Sequence, residues 1–240
     1  MINLIMSEFG KNRNNCGDSD LTTFKRFDPT LTTMLKYFPD LKLTVYTDFD
    51  IDKLHDNMEV IKLESPMCSI KHPRYGWRNS SYYRTYGLLN SNYDIAIAMD
   101  SDLHVMSEDV KKIEMLTKRF GVCIIPNSRN LVRTDTLVGA DSDGKLDETN
   151  GVGYATNNGF MSLYTKNKKA KEFVKSYMDI RKGMGRGTVA LWKAIWNSDF
   201  NPYMLPPQWC VCRNYCGIGD EIILHVGHDK VKNHYKGIIK

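Results

Sequence analysis

Two aspartates one residue apart, Asp100 and Asp102, follow the most apolar strand pattern of the chain. Residues 94–99 form a nearly unbroken apolar run, which predicts a central strand covered on both faces. In an extended chain residues two apart point the same way, so both carboxylates share one side. Open α/β sheets bind ligands at the carboxyl ends of their strands. Carboxylates there suit Mn²⁺ or Mg²⁺, which keep positions open for phosphate oxygens.

The Asp-Ser-Asp triplet itself is not specific, because it occurs three times. The other two copies, at residues 18–20 and 141–143, lie among Gly, Asn and Ser, and we interpret them as solvated turns. A turn is also the simplest alternative for Asp100 and Asp102. The apolar strand before them reverses that interpretation.

Hydrophobic patterns predict the elements that position these carboxylates. Strands are predicted at residues 2–9, 41–47, 58–63, 94–99, 121–125 (ended by Pro126) and 157–164, and helices at 31–38, 79–89, 108–119, 168–181 and 188–196. Strands and helices alternate, which favours an α/β fold with a mainly parallel sheet. Residues 139–153 are rich in glycine and acidic side chains and predict a lid loop.

Composition indicates one domain over residues 1–240. The chain is 42% hydrophobic and 25% charged, which is enough for one large core. We expect a cytoplasmic protein (host cytoplasm if the chain is viral) without membrane contact, since neither a spanning segment nor a signal peptide is evident. The six cysteines are expected to be reduced. The alternative is a structural zinc at Cys210, Cys212 and Cys216, whose spacing lacks the usual paired motif.

Residues 93–105 resemble the strand and Asp-x-Asp signature of GT-A glycosyltransferases, particularly the glycogenin and bacterial lipopolysaccharide galactosyltransferase type. The order of elements agrees over about residues 2–230. The resemblance implies a single Rossmann-like domain whose mainly parallel central sheet is flanked by helices. It also implies that Asp100 contacts the donor's ribose and the metal, with Ser101 beside it, while Asp102 holds the metal.

Further parts of the chain resemble the same family. Arg84 lies on the helix before the Asp-x-Asp strand, where the family directs a basic or polar residue at the donor; a surface ion pair is the alternative. Asn157-Asn158-Gly159 is similar to the family's Asn-small-Gly turn, which lines the sugar and acceptor site. Asn157 is therefore a predicted catalytic residue.

The C-terminal segment resembles the family's closing motif. That motif implies that His225 is the third metal ligand and that Gly227 and Lys230 bind the diphosphate. The family spacing is His-x-x-Gly-x-x-Lys, and here the glycine comes one residue early. In this family an Asp-Gln pair usually opens the helix that follows residues 168–181, and it is missing here because the chain has Gly187-Thr188 at that place. This departure leaves the stereochemical outcome open, although the resemblance favours retention.

Together these features predict a metal-dependent transferase that uses a nucleotide-diphosphate sugar, with a UDP-sugar the expected donor. Ser7, Glu8, Thr47 and Asp48, at the ends of the first two strands, are placed to bind its nucleoside. If the reaction inverts, it needs a base, and Asp141, Asp143 and Asp147 are candidates. The glycines at 183, 185 and 187 lack phosphate-loop spacing and predict a hinge.

Other functions fit some of these features. A nucleotidyltransferase also uses a metal on an α/β sheet, but residues 10–17 make a poor phosphate loop. A basic nucleic-acid-binding module fits the net charge of +5 and leaves the Asp-x-Asp without a purpose. The acceptor is open between a glycan, a protein hydroxyl and DNA. The Asn- and Lys-rich composition resembles small bacteriophage glycosyltransferases that modify hydroxymethylated DNA bases.

Overall fold

The computed structural model describes residues 1–10, 24–53, 55–72, 75–131, 152–183 and 187–239, with only the backbone described for residues 24–29 and 128–131. Several predictions lie outside these ranges: both other Asp-Ser-Asp triplets, the candidate bases and all but the end of the 139–153 loop.

Each predicted element has a counterpart in the structure. The strands are β1 Ile2–Glu8, β2 Lys42–Thr47, β3 Met58–Lys62, β4 Ile95–Met99, β5 Leu103–Val105, β6 Val122–Leu131, β7 Tyr154–Tyr164, β8 Tyr203–Met204 and β9 Ile223–His225. The helices are α1 Phe24–Tyr37, α2 Tyr75–Leu89, α3 Lys112–Phe120, α4 Lys168–Gly183, α5 Gly187–Trp196 and α6 Asp229–His234. Seven strands form one sheet in the order β3-β2-β1-β4-β7-β6-β8. Only β7 runs antiparallel to its neighbours in it, so the predicted mainly parallel sheet is confirmed.

The sheet is buried on both faces at β4, which carries apolar residues at every position. In β4 the larger residues Ile95, Ile97 and Met99 pack into the layer that contains α1 and α3. Ala96 and Ala98 face the layer of α2, α4 and α5. α2 lies close to the sheet: a Cβ on its Gly87 would come within 2.6 Å of Ile5. This close packing holds α2 beside the end of β4.

Pro126 does not end its strand, so that detail of the prediction was wrong. β6 continues to Leu131, and Pro126 pairs with Thr156 of β7. On its other side β6 pairs with β8 only at Cys123 and Ile124. Pro126 therefore lies beyond the end of β8, where a missing N–H breaks no ladder hydrogen bond.

A second, small sheet was not predicted. β5 follows the Asp-x-Asp turn and pairs antiparallel with β9, with Leu103 opposite His225. Both strands have three residues, too few for a period of two to be recognised. This pairing brings the C-terminal segment to the end of β4.

Five of the six cysteines lie in the described residues, and none of these five forms a disulfide, in agreement with the reduced state expected from the sequence. Cys68, Cys123, Cys210, Cys212 and Cys216 are free thiols, and all but Cys216 are buried. Over the described part of the chain, no helix is both long enough and apolar enough to cross a membrane.

Candidate active site

β4 ends at Met99, so Asp100, Ser101 and Asp102 form a turn and not the extended strand end expected from the sequence. Hydrogen bonds to three other segments of the chain hold this turn. Asp100 N donates to Gly159 O of β7 at 2.7 Å, and Val226 N donates to Asp102 O at 2.9 Å. The Thr30 hydroxyl of α1 donates to Ser101 O at 2.7 Å. The turn is thus fixed before any ligand binds, which favours precise placement of its two carboxylates.

Asp100, Asp102 and His225 meet at this turn. Each offers one ligand atom, and the three atoms lie within 4.8 Å of one another. His225 Nε2 is 3.3 Å from Asp102 Oδ2. Mn²⁺ binds readily to a set of two carboxylates and an imidazole, and Mg²⁺ binds mainly to the carboxylate oxygens of such a set. The three residues that sequence reasoning assigned to the metal are therefore brought together.

His225 is oriented by groups behind it. Its Nδ1 lies 3.5 Å from Asn157 Nδ2 and 3.9 Å from the sulfur of the buried Cys210. The other end of the Asn157 amide is occupied, because Asn157 Oδ1 accepts from Gly159 N at 2.8 Å. These contacts turn Nε2 toward Asp102, and partners of this kind set the direction and basicity of a ligand histidine.

The electrostatics of His225 reflect two opposing effects. Burial disfavours its protonated form, while the charge of Asp102 and its hydrogen bond favour that form more strongly, so the net pKa of His225 is raised. Asp102 thus provides a negative field where a cation would be held. The site attracts positive charge, whether a proton or a metal ion.

Two glycines provide space around the carboxylates. A Cβ on Gly227 would lie 1.9 Å from Asp102 Oδ2, and one on Gly159 would lie 2.4 Å from Asp100 Oδ2. Any side chain at either position would displace the oxygen that it meets. The carboxylates, the imidazole and the space between them fit a divalent cation.

Arg84 is buried in α2 and forms an ion pair with Asp100 through Nη1 and Oδ1. Only 5% of Arg84 is exposed, so the surface ion pair considered from the sequence does not describe it. The guanidinium contacts the Asp100 carboxylate, which the resemblance predicts to contact the donor's ribose. Its charge is held in a low-dielectric setting, where it acts more strongly than in water.

The predicted nucleoside residues lie along the same sheet edge. β1 lies between β2 and β4, so the ends of β1 and β2 adjoin the Asp-x-Asp turn. Ser7, Glu8 and Thr47 are buried, and the Ser7 hydroxyl donates to Ser80 O at 2.8 Å. Half-buried Asp48 is the most accessible of the four.

Sequence reasoning missed the partners of Asp48. Its Oδ1 accepts from Gly10 N at 2.9 Å, and its Oδ2 accepts from the Tyr75 hydroxyl at 2.6 Å. Burial, followed by the bond to Asp48, raises the pKa of Tyr75. Tyr75 lies in the first turn of α2, before the stretch whose pattern predicted the helix, so no local signal identified it.

The remaining predicted residues differ in their exposure. Ser101 is half-buried in the turn. Gly227 is exposed, and its backbone packs closely against the Asp102 carboxylate. Lys230 is exposed on α6, which begins at Asp229. The imidazole of His228, which the sequence did not single out, lies beside His225 with ring centroids 4.5 Å apart and ring planes tilted by 56°.

A second polar group lies on the other face of β7, where Asn158 of the expected turn meets Ser81 and Arg181, two partners that sequence reasoning missed. Asn158 Nδ2 donates to Ser81 Oγ at 2.8 Å, and the same oxygen accepts from the buried Arg181 Nε at 3.3 Å. The first residue of α5, Gly187, packs on the Asn158 amide, since a Cβ there would lie 2.5 Å from Nδ2. α5 therefore begins beside the candidate site. The polar run Asn79-Ser80-Ser81 inside a helical pattern was the available signal.

Comparison with known proteins identifies the fold. No protein-family model and no curated protein matches the sequence. The crystal structure of mouse Xyloside xylosyltransferase 1, apo form, matches with a TM-score of 0.53 and 13% sequence identity, covering 94% of this chain and 97% of that chain. Together with the mainly parallel sheet flanked by helices, this similarity shows the GT-A glycosyltransferase fold that the resemblance predicted.

Proposed function

We propose that this chain is a metal-dependent glycosyltransferase that moves a sugar from a nucleotide-diphosphate donor, with UDP-sugar the expected class, to an acceptor hydroxyl. The observation that carries the proposal is the meeting of Asp100, Asp102 and His225 at the carboxyl edge of a GT-A sheet. Their ligand atoms come from segments more than 120 residues apart and lie within 4.8 Å.

Each residue has a role that its environment supports. Asp100, Asp102 and His225 would hold Mn²⁺ or Mg²⁺, and Asn157 would keep the His225 imidazole turned toward it. When bound, the cation neutralises the negative charge that develops on the departing diphosphate. Arg84 fixes Asp100 and adds positive field at the same place.

The nucleoside is expected at the ends of β1 and β2, where Ser7, Glu8, Thr47 and Asp48 lie. Asp48 is the half-buried member of this group, and its carboxylate is shared by Gly10 N and the Tyr75 hydroxyl. The diphosphate is expected next to Ser101, Gly227 and Lys230. Gly227 is exposed and has no side chain, so its backbone could approach the phosphates closely.

Donor hydrolysis tests the proposal directly. The purified chain is incubated with UDP-, GDP-, ADP- and dTDP-sugars and Mn²⁺ or Mg²⁺, and nucleoside diphosphate release is measured. We expect release from one donor class and loss of release with EDTA. Pyrophosphate release from nucleoside triphosphates would instead indicate a nucleotidyltransferase, and the absence of both reactions would refute the proposal.

Asp102→Asn provides the matched variant. It preserves the size of the side chain and removes the charge, so the fold should survive while hydrolysis falls about a hundredfold or more, a few kcal/mol. Asp18→Asn and Asp141→Asn, in the other two triplets, should retain the wild-type Mn²⁺ response. If Asp18→Asn loses the Mn²⁺ response and Asp102→Asn keeps it, the site has been assigned to the wrong triplet.

The basic charge of the chain does not by itself favour DNA as acceptor. On α4, Lys168 lies near Glu172 at 3.9 Å, and Asp179 pairs with Lys175 at 2.8 Å and Lys182 at 3.3 Å. These lysines are thus accounted for by a solvated helix face. If a hydroxymethylated DNA base is the acceptor, transfer to DNA should fall steeply with salt, because phosphate contacts release counterions.

A further inference from the structure

Three aromatic side chains form a row across the start of β7 and one side of α5. The rings of Tyr154 and Trp192 have centroids 5.3 Å apart, and those of Trp192 and Trp196 are 6.2 Å apart. Tyr154 and Trp196 are 44% and 46% exposed, whereas Trp192 between them is 7% exposed. Two solvent-facing rings therefore flank a buried one.

This aromatic row leads away from the candidate active site. Tyr154 is three residues before Asn157 on β7, which is about 10 Å at the usual strand rise. On α5 the chain starts at Gly187 against Asn158 and reaches Trp192 after five residues. The row thus continues from the Asn157-Asn158 turn, which the resemblance assigns to the sugar and acceptor site, and an acceptor longer than its reacting unit would extend along it.

Trp192 has an unused hydrogen-bond donor. Its Nε1 is buried, and within the part of the chain that the structure describes no atom accepts its hydrogen. The indole edge that carries Nε1 lies against Gly153, since a Cβ there would meet Cε2 at 2.2 Å and Cζ2 at 2.0 Å. Buried tryptophans usually have a partner for this N–H, so the donor remains available to a ligand oxygen that reaches the Gly153 side of the ring.

We propose that Tyr154, Trp192 and Trp196 form an acceptor subsite for a neutral oligosaccharide. Pyranose rings present flat C–H faces that pack on exposed aromatic rings, and their hydroxyl and ring oxygens can accept from the Trp192 N–H. Lys193 is the single charged residue in the α5 sequence. A DNA strand would need several cations to contact its phosphates, so the saccharide fits this surface better.

The role of the bound saccharide as an acceptor rests on the proposed function. Saccharide binding itself does not, because it can be measured without any donor. The probes are cellotriose, maltotriose, laminaritriose and xylotriose, each compared with its monosaccharide, by saturation-transfer NMR and isothermal titration calorimetry. We expect one or more trisaccharides to bind and the monosaccharides to bind at least tenfold more weakly. Transfer of magnetisation to the sugar C–H protons would report the stacking.

Three variants and one control test the residues. Tyr154→Ala and Trp196→Ala should each weaken trisaccharide binding at least tenfold, and Trp192→Phe, which keeps a ring and removes the N–H, should weaken it severalfold. Trp77→Ala is the control, because Trp77 is 43% exposed on α2 and outside the row. Circular dichroism melting of each variant checks that the fold is retained.

The subsite would be overturned if no trisaccharide binds the wild type, or if binding is equal in Tyr154→Ala, Trp196→Ala and Trp77→Ala. Binding of a hydroxymethylcytosine oligonucleotide that depends on Tyr154, without saccharide binding, would also overturn it. Donor hydrolysis by the wild type separates the two proposals. Ring-dependent saccharide binding without hydrolysis refutes the transferase and retains the subsite, and hydrolysis without saccharide binding does the reverse.

Discussion

Gly227→Ala tests whether the space beside Asp102 is needed for metal binding. The new Cβ would lie 1.9 Å from Asp102 Oδ2 and 2.9 Å from Cγ, whereas ordinary contact begins at 3.4 Å. The carboxylate oxygen must therefore move by about 1.5 Å or the backbone must retreat. A metal site tolerates changes of only about 0.2 Å in its ligand distances.

The expected result is a loss of metal affinity with little loss of stability. The Asp102 side chain is 35% exposed and can swing toward solvent, so the fold should accommodate the methyl group. Disturbing one supporting position of a metal site typically lowers affinity about 10- to 100-fold, or about 1.4 to 2.7 kcal/mol. We expect a Mn²⁺ dissociation constant raised by that factor and a melting temperature within about 3 °C of the wild type.

The assay is a Mn²⁺ titration followed by calorimetry or by the EPR signal of free Mn²⁺, with melting measured in EDTA. Gly237→Ala is the control, because a Cβ at Gly237 would have no atom within 4 Å. Wild-type Mn²⁺ affinity in Gly227→Ala would refute the reasoning. A large fall in melting temperature would show that the contact supports the fold rather than the site.

Three further changes probe the groups around the metal ligands. Arg84→Gln removes the buried partner of Asp100 and should lower the melting temperature by about 5–10 °C, with part of the loss recovered in Mn²⁺; no recovery would argue against a shared site. Asn157→Leu should weaken Mn²⁺ binding about tenfold by releasing the His225 ring, and unchanged binding would remove its orienting role. Burial, followed by the charges of His225 and Arg213, lowers the pKa of His228 from 6.5 to about 4, so the unfolded chain takes up a proton first and stability falls as pH drops from 6.5 to 4. Melting of His228→Asn across that range should show a shallower fall, and equal slopes would contradict the assignment.

The sequence by itself predicted the longer strands and helices and placed two aspartates at the end of β4. The apolar run before Asp100 predicted the central strand β4, whereas the extended chain expected at Asp100 and Asp102 was wrong, because a turn brings their carboxylates together. The patterns that predict strands and helices are local, readable wherever about five or more residues repeat a period. The resemblance added His225 as a metal ligand, and its imidazole now lies 3.3 Å from Asp102.

The tertiary structure alone decided how distant segments meet. The three-residue strands β5 and β9 carry too few residues for a periodic signal, yet their pairing places His225 and Gly227 against Asp102. Asn157 reaches His225 only because β7 runs antiparallel beside β4 and extends past its end. Likewise, the row of Tyr154, Trp192 and Trp196 joins a strand to a helix nearly 40 residues later. Such contacts depend on how the whole core packs. The hydrophobic periodicity of one helix or strand does not indicate which other element will pack against it.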